Sequence, residues 1–375
     1  MNGKIKIKNQ KIPQFFYYIY LFWYLMSVIL QTNITKINEN FWNTVNEYFD
    51  VFILIFLVGQ IIYIRHYSLN QFFLIVLVSL VMLAISICSK SNILFASWIF
   101  IIASKNLDFY KLFQKLFIIQ IISVFSVLFL FFVGAINQTM ILRDARVRMS
   151  LGYVHPNYLG FSIALIFVLN FAREKKITVW DCLLTILAVI FIWVVPNSQS
   201  SAFMLVILIV ILPFYNYIET KGLRLKNIVL NICILCSFAV NVCSIFLMIY
   251  YNGKSWSENL NRIFSGRLWF GHSAYLNFGI NLLGQDISKL DWLTLDNAYM
   301  SLLIRYGIMG YSIFTIVYLA TMKYMKFIDS RMVIIMFAFS MYGCMESGFI
   351  GVGGNVFLLF IGMLLYKRKS ITKSY

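Results

Sequence analysis

Three arginines, Arg143, Arg146 and Arg148, precede the segment GYVHPNYLG and form the first group whose chemistry points to a function. Arg143 and Arg146 are spaced to share one face of a helix. Pro156 suits the first turn of the helix that follows, with His155 or its neighbour as N-cap. Guanidinium groups bind phosphate through paired hydrogen bonds, and helix N-termini attract anions. The group therefore predicts a phosphate site; solvation of a loop or contact with lipid headgroups is the alternative.

A second group comprises Arg262, Arg267 and His272, followed by Asp296 and Asn297 at the start of an apolar run. Asp296 or Asn297 is a natural N-cap for the helix that this run predicts. A carboxylate near a membrane interface can instead act as a general base, and His272 is an alternative base. Two interpretations fit this group. In one, Asp296 or His272 acts as a general base; in the other, Asp296 caps a helix and His272 is a packing residue.

Arg305 lies inside the apolar run that follows Asn297, about 12 Å further along a helix. Asn297, Ser301 and Arg305 recur every four residues and would share one face. An arginine in a membrane segment marks a functional site by default, because leaving it in lipid costs several kcal/mol. A structural ion pair with Glu346 and a catalytic use of either residue both fit the sequence.

The elements that must position these residues are long apolar segments. The chain has 375 residues, of which 61% are hydrophobic and 12% charged, and its mean hydropathy is +0.82. A helix needs about 20 mostly apolar residues to cross a bilayer. Such runs fall near 15–31, 51–64, 69–88, 93–104, 116–136, 156–172, 177–195, 201–218, 227–250, 298–321, 332–349 and 356–366. We therefore predict an all-α polytopic membrane protein of about 12 transmembrane helices, with residues 1–375 as a single integral membrane domain.

The distribution of charge predicts the orientation of these helices. The formal net charge is +17, and most basic residues fall on one side if both termini are cytoplasmic, as the positive-inside rule requires. That side uses mainly lysine, whereas the outer side uses mainly arginine. Two outer loops stand out: 137–155, which holds the first arginine group, and 251–297, which is long enough to cover the outer face. In the second loop, Leu268, Trp269, Tyr275 and Phe278 predict a helix lying at the interface.

Several function classes are excluded or disfavoured by the same features. The apolar runs exclude an ordinary soluble nucleic-acid binder despite the positive charge, and six cysteines in or beside these runs give no disulfide framework. Cytoplasmic loops are short, and the chain has neither GxxxxGK[ST] nor GxGxxG, which excludes an ATP-driven pump within this chain. The paired cysteines Cys233 and Cys236 lie within an apolar run and are interpreted as packing residues.

In their order along the chain, three motif groups resemble those of bacterial O-antigen and capsule repeat-unit polymerases (Wzy type), relatives of the O-antigen ligases. The groups are Arg143–Arg148 leading into SLGYVHPNYLG, SGRLWFGHSAYL with FGINLLGQD, and LDNAYMSLLIRYGIMG. With the many predicted spans and the long outer loop, the resemblance covers most of the chain. The order and placement of the motifs carry the resemblance.

The resemblance implies a metal-independent membrane glycosyltransferase of the broad GT-C type, without a cofactor, that uses undecaprenyl-diphosphate-linked oligosaccharides. Such enzymes transfer the growing glycan from its lipid diphosphate to a new lipid-linked repeat unit, at the outer face of the bacterial cytoplasmic membrane. The product is a capsular, O-antigen or exopolysaccharide chain. The implied partners are the lipid-linked oligosaccharide and the lipid bilayer, with a chain-length regulator and a flippase as further candidates, and no nucleic acid.

The same resemblance implies roles for individual residues. The diphosphate would be held by four arginines: Arg143, Arg146, Arg148 and Arg267. Six further residues are candidates for binding the diphosphate or the glycan: His155, Asn157, Arg262, Asn297, Tyr299 and Arg305. Charge stabilisation of a leaving group is often the largest catalytic contribution.

The general base would be a residue near the outer face that accepts the proton of the acceptor hydroxyl. The ligase relatives carry a His-Asn pair where this chain has Asp296 and Asn297, so Asp296 is the candidate, with His272 and Glu346 as alternatives. Related chains also often carry Ser-Arg after the seventh helix, whereas Ser198 is followed here by Gln199.

Two other functions remain open from the sequence. One is a ligase that moves finished glycan to another acceptor, and the other, from a different class, is a flippase or transporter for lipid-linked oligosaccharide. A transporter is expected to show related halves or ionisable residues near the bilayer midplane. The predicted topology instead gathers ionisable residues at the outer face, which favours chemistry there.

Overall fold

The computed structural model describes residues 11–64, 67–105, 107–143, 146–174, 177–290 and 292–366. Its helices are α1 (Lys11–Ile29), α2 (Glu39–Ile64), α3 (Leu69–Ser89), α4 (Ile93–Ala103), α5 (Phe109–Phe132), α6 (Pro156–Arg173), α7 (Val179–Val194), α8 (Gln199–Lys221), α9 (Leu223–Ile249), α10 (Ser255–Ile263), α11 (Arg267–Phe278), α12 (Ala298–Ile304), α13 (Gly307–Ile328), α14 (Ser330–Gly343) and α15 (Phe360–Leu365). Strands β1 (Met140–Arg143) and β2 (Arg146–Met149) form one hairpin, and short 3-10 helices cover Asn33–Ile37, Ser347–Ile350 and Val356–Leu359.

Several helices have the length and apolar character of membrane spans. Within the described residues, five are long and apolar enough to cross a bilayer: Glu39–Tyr63, Leu69–Ser89, Phe109–Phe132, Gln199–Glu219 and Leu223–Ile249. Shorter apolar helices cover Phe15–Ile29, Ile93–Ala103, Val179–Val194, Ser330–Gly343 and Val356–Leu365. The prediction of a mainly helical, membrane-embedded protein is confirmed at this level. The number of twelve spans and their orientation stay predictions.

The outer helices expose apolar side chains, as a protein in lipid does. On α2 and α3, Ile55, Ile62, Leu77 and Leu80 are all exposed. Exposing these apolar side chains to water would cost free energy. Exposing them to lipid would not, because lipid tails are as apolar as the side chains themselves. These helices therefore present lipid-facing surfaces.

The centre of the molecule is built around α14. Nearly all of its residues are buried, from Ser330 to Gly343, and it packs against α6, α8, α9 and α13. A helix that is apolar on every side is expected to be surrounded by other elements. Residues that follow its C-terminal end are consequently held close to several neighbouring helices.

The predicted continuous span over 298–321 is interrupted, with α12 ending at Ile304 and α13 beginning at Gly307. The break receives the segment that follows α11, because Gln285 N donates to Arg305 O at 2.9 Å. Gly284 and Gly307 have φ values of +83° and +75°, and a Cβ on Gly284 would lie 2.1 Å from Arg305 O. The FGINLLGQD and RYGIMG motifs thus dock onto each other, which requires glycine on both sides.

The first arginine group adopts a different structure from the one predicted. Arg143 and Arg146 do not share a helical face, because they are cross-strand partners at the end of the β1–β2 hairpin. A separation of three residues suits either arrangement, and residues 144 and 145 between them lie outside the described residues. This hairpin is the small β component of an otherwise helical structure.

The segment 251–297 holds two helices, α10 and α11, before the chain reaches α12. The predicted helix around Leu268 and Phe278 is confirmed as α11. Leu268 is buried, and a Cβ on Gly271 would meet Met248 Sδ at 2.4 Å, so α11 packs closely along α9. This packing fixes the N-terminal end of α11, where Arg267 lies.

Candidate functional site

Glu346, which follows α14, is the centre of a polar cluster. Its Oε1 accepts hydrogen bonds from Arg267 Nη2 at 3.0 Å, Asn157 Nδ2 at 3.0 Å and Ser200 Oγ at 2.9 Å. These donors come from α11, α6 and α8, so one carboxylate oxygen joins three helices. The Oε2 atom makes no hydrogen bond with a described residue, and 14% of the side chain is exposed. One oxygen is therefore fixed and the other is available.

Arg267 begins α11 and is held in place by backbone carbonyls. Its Nε donates to Met345 O at 2.7 Å and its Nη1 to Phe264 O at 3.4 Å. The turn before α11 places Ser265 and Gly266 at positive φ, and Ser265 Oγ donates to Gln199 Oε1 at 3.2 Å. Because the planar guanidinium presents donors in a fixed fork, these bonds also fix its orientation toward Glu346.

Arg148 is buried on the other side of the cluster, at 4% exposure. Its Nε donates to Pro196 O at 3.0 Å, and its Nη2 donates to Asn157 Oδ1. Asn157 therefore accepts from Arg148 and donates to Glu346. This arrangement connects the hairpin to α6, to the start of α8 and to the end of α14.

Asp296 lies at the mouth of the cluster. Its Oδ2 is 3.8 Å from Arg267 Nη2, and 47% of its side chain is exposed. The cap of α12 is Asn297, whose Oδ1 accepts from Met300 N at 2.8 Å and whose Nδ2 donates to Cys344 O at 2.8 Å. Of the two N-caps considered from the sequence, Asn297 is the one used, and the carboxylate of Asp296 is left for other interactions.

The environment favours a proton on Glu346 more than water does. Burial raises the pKa of Glu346 to about 6, the charge of Asp296 also raises it, and Arg267, Ser200 and Arg148 act in the opposite direction. A general base works best when its pKa lies near the working pH. A carboxylate with this pKa and one oxygen without a hydrogen bond is suited to accepting a proton from a hydroxyl group near pH 7.

The structure thus brings four of the predicted residues, Arg148, Asn157, Arg267 and Asp296, around Glu346. Of the two alternatives for Arg305 and Glu346, the structural ion pair between them is not the one formed, because Glu346 pairs with Arg267.

The other predicted residues of the second group lie apart from this cluster. His272 Nδ1 is 3.1 Å from both Met248 O and Ile249 O at the end of α9; because a carbonyl only accepts, Nδ1 carries the hydrogen. Arg262 is 77% exposed and lies 3.9 Å from Glu258, one helical turn away. These contacts are those of a packing histidine and of a solvated arginine.

Other predicted site residues, from the first group and from α12, also have places outside the Glu346 cluster. His155 is the N-cap of α6 and accepts from Asn157 N at 3.0 Å, with Pro156 in the first turn, so this local prediction is confirmed. Arg146 is exposed on the hairpin, whereas the side chain of Arg143 lies outside the described residues. Tyr299 is buried and donates to Ser340 O at 2.7 Å.

Arg305 lines a separate cavity of about 650 Å³. The walls of this cavity come from α1, α2, α4, α12 and the glycine-rich segment 347–354. Tyr158 and Ser347 also line it, and each directly follows a member of the Glu346 cluster in the sequence. The cavity therefore adjoins the cluster.

Glu346 is one of the alternative general bases that the sequence offers, and the structure places it at the centre of the cluster. Ser200 is the member that is absent from the sequence-based candidates. It belongs to the polar run PNSQSS, and the available signal is a polar residue at the outer end of a predicted span. Among the residues that the structure describes, no group of three or more His, Cys, Asp or Glu side chains could hold a metal ion.

Comparison of the chain with protein-family models, with curated proteins and with solved structures finds no match. The family resemblance drawn from the sequence motifs accordingly stays a prediction.

Proposed function

We propose that this chain is a membrane glycosyltransferase that polymerises lipid-diphosphate-linked oligosaccharide repeat units. The growing glycan is transferred from its lipid diphosphate to a new lipid-linked unit, at the outer face of a bacterial cytoplasmic membrane crossed by about twelve helices. The observation that supports this most is the convergence on Glu346 of residues from the motif-bearing segments, Asn157 and Arg267 among them. Distant motifs that meet at one partly open carboxylate favour a reaction site over separate structural roles.

The proposed general base is Glu346. A sugar hydroxyl of the acceptor gives its proton to Glu346 Oε2 while its oxygen attacks the anomeric carbon of the donor. The bond from that carbon to the lipid diphosphate breaks, and the diphosphate leaves with the electron pair. The three donors on Oε1 keep the carboxylate in position while Oε2 receives the proton.

Asp296 is the alternative base and has a second role in this proposal. It is half-exposed and 3.8 Å from Arg267 Nη2, so it can meet an acceptor that enters from the outer face. Its negative charge raises the pKa of Glu346. We assign Asp296 to tuning Glu346, because its own carboxylate lacks the fixed set of donors that orients Glu346.

Arg148 and Arg267 supply positive charge next to the reacting groups. Each is buried and each donates to protein carbonyls, so their positions are set before a substrate binds. Preorganised charge of this kind stabilises a leaving group without reorganisation during the reaction. Two carboxylates balance the two arginines at the site, and protonation of Glu346 during transfer leaves one net positive charge to face the departing diphosphate.

The test is reconstitution of the purified protein in vesicles with an undecaprenyl-diphosphate-linked repeat unit, followed by separation of the glycans by length. The proposal expects a ladder of products with the native protein and none with Glu346→Gln. Glu258→Gln is the matched control, because Glu258 lies on α10 and pairs only with the solvent-exposed Arg262 among the described cations. The control should give the native ladder.

The competing functions give different results in the same experiment. Transfer of finished glycan to an added acceptor, without a ladder, would identify a ligase. Movement of the lipid-linked unit between leaflets without any new glycosidic bond would identify a transporter and would refute the proposal.

A further inference from the structure

The β1–β2 hairpin has two faces of different character. Met140 pairs with Met149 across the hairpin, and Leu142 pairs with Val147. Because successive side chains of a strand point to opposite faces, these four side chains lie together on one face. All four are exposed, from 38% for Met149 to 73% for Leu142. One face of the hairpin is therefore apolar and directed away from the rest of the chain.

The other face of β2 is directed into the protein by Arg148, which lies between Val147 and Met149. Arg148 is buried, and its Nε donates to Pro196 O at 3.0 Å. Its Nη2 donates to Asn157 Oδ1, so the strand cannot turn its apolar face inward without breaking these bonds. The apolar face consequently meets whatever surrounds the chain at this place.

The hairpin is joined to the end of α7. Met149 N donates to Val195 O at 3.1 Å, and Val195 directly follows α7, one of the shorter apolar helices. Trp193 and Val194, the last two residues of α7, are exposed, and tryptophan is enriched where membrane segments leave the hydrocarbon region. The apolar face of the hairpin therefore continues a surface of α7 that has the character of a lipid-facing one.

The small size of this face favours lipid over a protein partner. A stable protein–protein interface buries about 1,200–2,000 Å² and involves about 20–30 residues from each side. The hairpin has four residues in each strand, and half of them form the exposed apolar face. A bilayer accepts an apolar face of any size beside a helix that it already surrounds, and the gain in free energy scales with the apolar area that is buried.

We propose that the β1–β2 hairpin inserts its apolar face into the bilayer at the end of α7, while Arg148 on the opposite face stays in the Glu346 cluster. The partner is the acyl-chain region of ordinary bilayer lipids, and no particular headgroup is required. One strand thereby connects the membrane to the polar cluster. The proposal follows from the register, exposure and hydrogen bonds of the hairpin and is independent of glycan transfer.

The experiment places a nitroxide spin label on p-acetylphenylalanine at position 142, 147 or 146 of the full-length protein in phosphatidylcholine nanodiscs, which leaves the native cysteines unchanged. Electron paramagnetic resonance then measures how often each label collides with oxygen, which concentrates in lipid, and with a neutral nickel chelate, which stays in water. Position 146 is the matched control, because Arg146 is exposed, precedes Val147 and lies on the opposite face. The ratio of oxygen collisions to nickel collisions should be higher at positions 142 and 147 than at position 146 by about threefold or more, since neighbouring residues of a strand alternate between faces.

A charged substitution tests what holds the face in lipid. Val147→Asp puts a carboxylate on the apolar face, and the ratio at position 142 should then fall about threefold because charged side chains are disfavoured in lipid. Arg146→Gln is the control, since it changes the net charge equally but acts on the opposite face, and it should leave the ratio native. Thermal unfolding of each variant, with a transition matching that of the native protein, verifies that it is folded.

Three results would overturn this proposal. Frequent collisions with the nickel chelate at positions 142 and 147 would place the apolar face in water. Few collisions with either reagent would show that protein, such as a second copy of the chain, covers it. An unchanged ratio at position 142 in folded Val147→Asp would show that the apolar character of the face does not hold it in lipid. The labels in the native background decide the proposal even where Val147→Asp does not fold.

Discussion

The two ends of α14 carry ion pairs of similar composition and different construction. Before its first turn, Asp329 pairs with Arg331 through Oδ1–Nε at 3.2 Å and Oδ2–Nη2 at 2.9 Å. Beyond its last turn, Glu346 pairs with Arg267 at 3.0 Å through Oε1 alone. Arg331 and Arg267 are equally buried, at 8% exposure. Burial of the arginine therefore does not distinguish the two pairs.

The carboxylates of Asp329 and Glu346 differ in how many of their oxygens accept hydrogen bonds. Both oxygens of Asp329 are used, because Oδ1 also accepts from Arg331 N at 3.2 Å and Oδ2 accepts from Tyr110 OH. Glu346 places all three of its hydrogen bonds on Oε1. A fully bonded buried pair is a structural connection, whereas a pair with one free oxygen can accept a proton from a substrate. This difference separates the proposed reaction site from the structural pair at the other end of α14.

The largest expected effect comes from removing the base. Glu346→Gln keeps an oxygen that can accept from the same donors but cannot take up a proton, so the transfer rate should fall by about 10²–10⁴-fold. Asp329→Asn at the other end should leave the rate per folded molecule unchanged. The measurement is the single-turnover rate of transfer in vesicles, normalised to folded protein. A reversed outcome, with only Asp329→Asn inactive, would break the comparison.

Removal of the arginine in the structural pair should act on stability. Arg331→Ala leaves Asp329 buried without its cation, and loss of one partner of a buried pair typically costs about 3–5 kcal/mol. The free energy of unfolding, measured by titration with SDS in mixed micelles, should fall by this amount. The transfer rate of the remaining folded protein should stay native. A stable but inactive Arg331→Ala protein would give the Asp329–Arg331 pair a functional role and would contradict its assignment as a structural pair.

The connection between α14 and α12 should show a smaller effect. Asn297→Ala removes the N-cap of α12 and the hydrogen bond to Cys344 O, and loss of a cap costs about 1 kcal/mol. Asn297→Ser keeps an uncharged capping oxygen and removes the donor to Cys344, so it separates the two contributions. The measurement is the free energy of unfolding of both variants, which should fall further for Asn297→Ala. An equal fall in the two variants would show that the cap contributes little.

The smallest effect is expected at Arg262, which the sequence predicted as a binding residue. Its ion pair with Glu258 is exposed and 3.9 Å long, and such surface pairs contribute about 0–1 kcal/mol. Arg262→Gln should therefore leave both unfolding and the transfer rate nearly native. A large loss of rate would show that the substrate extends over α10, beyond the cluster described here.

Sequence reasoning succeeded where the structure depends on neighbouring residues. The His155–Pro156 start of α6 and the capping of α12 at Asp296 or Asn297 follow from contacts within two or three residues. The apolar runs likewise identified the helical, membrane-embedded class, because spanning a bilayer constrains length and composition directly.

It failed where distant segments meet. Glu346 and Arg267 are separated by 79 positions, so no local spacing could favour Arg267 over Arg305 as the partner. The break at Arg305 is set by the docking of Gly284, which is distant from it in sequence. The pairing of Arg143 with Arg146 in a hairpin uses the same separation as a helical turn. Long-range packing decided the first two cases, whereas in the third a spacing of three residues fits a hairpin as well as a helix.

The central claim, that Glu346 takes the proton of the acceptor, is tested most directly by the pH dependence of the single-turnover transfer rate. A general base must be ionised, so the rate of the native protein should rise with pH through about 6, the pKa of Glu346. Because Asp296 raises that pKa, Asp296→Asn should retain activity and shift the rise to lower pH. A native rate that does not change between pH 5 and 8, or an inactive Asp296→Asn protein, would contradict the assignment.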